Sequence, residues 1–95
     1  MQNHLEHTIH RVTHMEQLFD RLRFAAASHP ETIRTDPCLK EMLTALTEYY
    51  QGGQWLADYT CDERGDLPPT LKRGVLSQDA LYDLLHDIDL LHNDF

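Results

Sequence analysis

The chain reads as an all-α protein: a small bundle in which a long N-terminal helix packs against two shorter helices, with a short aromatic helical segment and a Pro/Gly-containing connection. Three observations carry that reading. Apolar residues recur at threes and fours over three separate stretches. Residues suited to starting and stopping helices stand at the ends of those stretches. No segment alternates apolar and polar residues for long enough to make a strand. With 95 residues the chain is expected to form one domain, 1–95, burying about 60–65% of its unfolded surface without a metal or disulfide.

Leu5, Ile9, Val12, Met15, Leu18, Phe19, Leu22 and Ala26 keep helical spacing, and no Gly or Pro interrupts them before Ser28-His29-Pro30. The first helix is therefore expected over about residues 3–27, a length of roughly 36 Å. Residues 28–36 read as a loop. Asp36-Pro37 then restarts a helix, in the favoured order of cap followed by N1 proline. Leu39, Met42, Leu43, Leu46, Tyr49 and Tyr50 form its apolar face, and Gly52-Gly53 ends it. Gln54 to Thr60 is a short helical segment carrying Trp55, Leu56 and Tyr59. Arg64-Gly65-Asp66 and Pro68-Pro69 mark an irregular connection. Ser77 caps the last helix, about 78–92, whose buried stripe is Leu81, Leu84, Leu85, Ile88 and Leu91. Asp79 adds negative charge where the helix dipole favours it, and Gly74 is expected to take positive φ ahead of the cap. The simplest packing lays the second and last helices along the first, with the Trp55 segment and the LKRGVL turn closing one end.

Sixteen acids oppose eight bases, a formal charge of −8, which disfavours nucleic acid as a partner because phosphate binding draws on Lys and Arg. The imbalance is concentrated late: −2 over residues 1–53 and −6 over residues 54–95. A basic protein would meet the C-terminal half first. Protonating all seven histidines would bring the charge from −8 to −1, so the N-terminal electrostatics depend on pH between about 5 and 7. No apolar run approaches the 7–15 residues of a signal-peptide core or the roughly 20 of a membrane span, so a cytoplasmic protein with no membrane partner is expected. Cys38 and Cys61 lack CxxC spacing and read as reduced thiols.

The stretch LKRGVLSQDALYDLL, Leu71 to Leu85, preceded by YYQGGQWLADYTCDERGDLP from Tyr49 to Pro68, resembles a bacterial family catalogued as domain of unknown function 4298. The resemblance covers roughly the C-terminal half, with residues 1–36 outside it. It implies a short, mostly helical, stand-alone bacterial cytosolic protein and assigns no activity.

Several side-chain groups are candidates for chemistry. His7, His10 and His14 lie at i, i+3 and i+7 within about 60° around the first helix, with His4 one turn further back, and imidazoles so placed can share zinc, nickel or copper. The alternative is a solvated face. Asp79, Asp83 and Asp87 form an i, i+4, i+8 stripe on the last helix: a solvated face, a docking surface for a basic partner, or, with a second set of ligands, a cation site. Asp58, Asp62, Glu63 and Asp66 cluster upstream without the spacing of a calcium loop. Lys72 and Arg73 flank the Gly74 turn and either clamp an anion with Ser77 or pair with Asp62, Glu63 or Asp66 to hold the loop. Trp55, Tyr59, Tyr49, Tyr50 and Tyr82 are core residues, the lining of a ligand pocket, or interface anchors. Cys38 at a helix start has no acid–base partners in view.

The leading expectation is a non-enzymatic acidic protein–protein interaction module that inhibits or regulates a larger basic protein, as an immunity protein or antitoxin does. Asp58, Asp62, Glu63, Asp79, Asp83 and Asp87 would supply the field, Lys72 and Arg73 further contacts, and Trp55 and Tyr59 the anchors. A first helix projecting past its partners would need its apolar face covered, so a homodimer is also expected. The alternatives are a metal-binding or metal-sensing protein using the histidine stripe, and an enzyme acting on a small anionic substrate at Lys72, Arg73 and Ser77. No cofactor is otherwise expected.

Overall fold

A computed structural model describes the backbone of residues 2–92 and the side chains of residues 5–88. His4 and Leu91 therefore lie outside the described side chains. The chain is all-α, with α1 at Gln2–Ser28, α2 at Thr32–Thr35, α3 at Pro37–Gln51, α4 at Gln54–Glu63, a 3₁₀ turn at Gly74–Leu76 and α5 at Gln78–His92. Among the described residues there is no strand, and no helix is long and apolar enough to cross a membrane. The molecule measures 48 × 23 × 21 Å, its long dimension set by the 27 residues of α1, which span about 40 Å.

The expected boundaries hold where a specific residue enforces them. Asp36 accepts the Cys38 N–H at 2.9 Å and Pro37 occupies the first turn of α3, the arrangement that a cap and an N1 proline favour. Ser77 receives the Ala80 N–H at 3.4 Å ahead of α5. Gly53 has φ of 99° between α3 and α4, a conformation that costs glycine little and an L side chain a great deal. Gly74, by contrast, has no positive φ. Its glycine has a spatial reason instead: a Cβ there would come within 3.2 Å of Glu16 Oε2.

Two elements differ from expectation. The 28–36 loop contains α2, one turn whose single apolar residue, Ile33, is fully buried. One turn has no period to read. The LKRGVL turn does not close an end. Val75 and Leu76 are buried, and the 3₁₀ turn packs against α1, α4 and α5 together, while α5 meets this turn more extensively than it meets α1. The turn is pinned from both sides. Glu16 of α1 accepts the Val75 N–H at 2.7 Å, and the Trp55 indole of α4 donates to the Val75 carbonyl at 2.9 Å.

Around this turn the core gathers Val12, Phe19 and Leu22 from α1, Leu46 and Tyr49 from α3, and Leu81 and Ile88 from α5. Two acidic residues are buried with them, Glu16 beside the turn and Asp58. Asp58 of α4 is 1% exposed. Arg11 of α1 donates Nε to its Oδ2 at 2.9 Å and Nη2 to its Oδ1 at 2.5 Å, and the Tyr49 hydroxyl donates to Oδ2 at 2.7 Å. The bidentate fork is the strong form of such a pair. The hydrogen bond to Asp58 holds the Arg11 guanidinium above its ordinary pKa, against the opposing effect of desolvation. Burial first, then the bond to the Asp58 carboxylate, push the Tyr49 phenol well above the usual tyrosine value.

Two outcomes are expected. Asp58→Ala strands the Tyr49 hydroxyl and the inner face of Arg11, so it should cost about 3 kcal/mol in urea unfolding, the low end for a broken buried pair because Arg11 is 26% exposed and can regain water. Native Tyr49 keeps its proton at a pH where an unfolded tyrosine has lost it, so the unfolded state binds fewer protons and stability falls as pH rises. That contribution is complete below about pH 10 and is lost above it. The urea midpoint should drop between about pH 9 and about pH 11, and drop less in Tyr49→Phe.

Candidate interaction surface

Leu81, Leu84 and Ile88 turn one side of α5 into the core, and the helical period places Asp79, Asp83 and Asp87 on the other. All three carboxylates are exposed. None has an ion-pair partner among the described residues. Asp79 lies in the first turn, where the helix dipole stabilises a negative charge. Beside the stripe stands Tyr82, 54% exposed, its ring stacked on His86 one turn later with centroids 5.9 Å apart and planes 6° from parallel. A groove of about 360 Å³ runs between α5 and α3 and continues this aromatic patch, bounded by Leu43, Thr47, Tyr50 and Leu85 together with Tyr82 and His86. The face thus combines an acidic row, a preset aromatic and an adjoining partly apolar groove.

The structure takes two expected contact residues off the surface. Asp58 is the buried acceptor of Arg11 and Tyr49. Trp55 is buried with its indole N–H on Val75, stacked on Tyr59 at 5.1 Å and met edge-on by Tyr50 at 5.2 Å. Both point inward because a charge and an indole on that side of α4 find partners there, which charge and spacing alone do not reveal. Tyr59 is half-buried in the same cluster. Asp62 and Arg73 pair with each other, and Arg73 also donates to the carbonyls of Pro68 and Leu71. Arg73 is thereby a clamp on its own loop, the structural alternative of the two weighed for it. Glu63 and Lys72 are exposed, and Ser77 serves as a cap.

His7, His10 and His14 are exposed along α1. Among the described residues no group of three or more His, Cys, Asp or Glu side chains is placed to hold a metal ion. Cys38 and Cys61 are free thiols. One functional candidate, Glu16, escapes the sequence reading, and another, Tyr82, is named there only as one of five aromatics. The position of Tyr82 beside Asp79, Asp83 and Asp87 on the polar side of α5 marks it as outward. Glu16 falls on the apolar stripe of α1, four residues after Val12 and three before Phe19, where an acid has to be buried.

Residues 12–95 match the family described as domain of unknown function (DUF4298), and the chain belongs to that family. The match reaches further toward the N-terminus than the C-terminal half expected, taking in most of α1 with Arg11's neighbour Val12, His14 and Glu16. No curated protein and no solved structure matches the chain.

The division between inward and outward residues is measurable. Tyr82→Ala and Asp83→Asn should each leave stability within about 0.5 kcal/mol of the parent, as exposed substitutions do. Trp55→Ala should cost about 3–5 kcal/mol in the same urea titration.

Proposed function

We propose that this protein is a small acidic interaction module that docks on a larger basic protein and inhibits or regulates it by covering part of its surface, in the way an immunity protein or antitoxin works. The observation that carries the reading is the α5 face, where Asp79, Asp83 and Asp87 are exposed without cationic partners among the described residues and Tyr82 lies open beside them. Carboxylates already engaged within a fold contribute little field to a partner, whereas this row is free to steer one. The net charge of −8 adds a long-range attraction that speeds encounter with a basic surface and weakens with salt. Tyr82, already stacked on His86, loses little side-chain freedom on docking and is of the residue type that dominates binding hot spots. A cytoplasmic location belongs to the same proposal and is supported by the free thiols Cys38 and Cys61.

The test is affinity capture of the tagged protein from its native lysate at low and high salt, followed by binding kinetics with the isolated partner. A near-stoichiometric basic protein is expected, captured at low salt and lost at high salt. Replacing Asp79, Asp83 and Asp87 together by Asn should slow association about tenfold, whereas Tyr82→Ala should act mainly on dissociation. Affinity that stays flat across ionic strength, or an unchanged association rate in the triple variant, would contradict this mechanism.

A further inference from the structure

Glu16 is a buried charge that the fold leaves half satisfied. The residue is 9% exposed, and its Oε1 accepts the Val75 N–H. Its Oε2 has no hydrogen-bond donor and no cation in reach among the described residues. A carboxylate offers about four lone-pair sites, and a buried charge given one neutral donor keeps much of its desolvation cost. Gly74 places no side chain of its own against that oxygen, which a methyl group there would approach to 3.2 Å.

Glu16 also lines a groove of about 440 Å³ between α1 and the connection that follows α4. Ile9, Pro68 and Leu71 supply apolar wall, and Thr13 and Gln17 polar edges. Two other charges border it on opposite terms. Asp20 is engaged by Arg23 at 2.8 Å, and Lys72 is exposed and unpaired among the described residues. Of the two acids that line the groove, Glu16 is therefore the one without an ionic counterpart.

We propose that this groove is a binding site for an alkylammonium group, which donates to Glu16 Oε2 while its carbon stem lies along Ile9, Pro68 and Leu71. The chemistry selects that class. A calcium ion needs six to eight oxygen ligands, and here Glu16, a lining residue with one free carboxylate oxygen, shares the groove with Lys72. A guanidinium gains its advantage from a two-oxygen fork, and Oε1 is already taken by Val75. An ammonium needs a single strong acceptor and an apolar bed for its stem, which is what the groove presents. No residue of α5 takes part, so the site stands independently of the α5 docking surface.

The experiment is a ¹⁵N–¹H NMR titration of the full chain with n-butylammonium chloride, against sodium chloride at matched ionic strength. Saturable shifts of the Glu16, Leu71 and Val75 amides are expected with the amine and not with sodium. Glu16→Gln, which keeps the shape and the acceptor for Val75, should abolish saturation. Lys72→Gln alters an exposed residue and removes a like charge, so it should tighten binding roughly two- to five-fold. A parallel titration with N-acetyl-lysine N-methylamide separates the sources: matching shifts extend the site to lysine side chains of proteins, and shifts with butylammonium alone restrict it to free amines. No saturable shift in the parent protein, or equal saturation in a folded Glu16→Gln, would overturn the proposal. Should Glu16→Gln not fold, unchanged or weaker binding in Lys72→Gln would do so.

Discussion

The carboxylate of Asp58 sits where water does not reach, and a lone charge in such a place costs more than a domain of this size has to spare. It is tolerated because Arg11 approaches from α1 with two parallel donors and Tyr49 from α3 with its hydroxyl. Three helices are thereby brought to one point, with partners 47 and 9 positions away along the chain. A buried pair of this kind adds little net stability over well-packed apolar residues. Its contribution is to orientation, because α4 has one rotation about its axis that delivers Asp58 to Arg11. That rotation also carries Trp55, one turn earlier, to the Val75 carbonyl. The 3₁₀ turn is then held between Trp55 and Glu16, Ser77 follows it directly, and α5 starts from there. The side of α5 that faces outward thus depends on a contact made two elements away.

The parts of this architecture that can be read from the chain are those with a local cause. The Asp36-Pro37 restart, the Gly53 break and the Ser77 cap each act within four residues, and the apolar periods of α1, α3 and α5 extend over several turns. The unreadable parts depend on partners distant in sequence. An acid inside a short helix resembles a solvated acid unless its arginine is known, so Asp58 reads as surface charge. The inward side of α4 alternates aromatic and acidic members, Trp55, Asp58, Tyr59 and Asp62, and for that reason its apolar signal stops at Thr60 while the helix continues to Glu63. Gly74 looks like a turn glycine and is instead a space kept for Glu16. The signal for Glu16 itself was present, an acid in register with Val12 and Phe19.

These distinctions reorganise the acidic character of the chain. Asp58 and Glu16 are structural charges with partners in the core, and Asp62 is tied to Arg73 at the loop. Among the described residues Asp79, Asp83 and Asp87 face solvent unpaired as one aligned row on α5, whereas the other exposed unpaired acids, Glu6, Glu41, Glu48 and Glu63, lie on other helices. The electrostatic ingredient of recognition, expected from α4 and α5 together, and the aromatic one, expected from Trp55 and Tyr59 of α4, therefore come together on α5, where Tyr82 takes the place expected of Trp55. Membership in a family without an assigned activity leaves this face as the basis for a functional reading.

The dependence on Asp58 is tested most directly by a double-mutant cycle between Arg11→Met and Asp58→Asn, with stabilities from urea unfolding. The two residues lie on different helices, so a coupling of about 1–3 kcal/mol is the expected result for a pair in direct contact. Additive losses, with coupling indistinguishable from zero, would contradict the account, because α4 would then be oriented by packing alone.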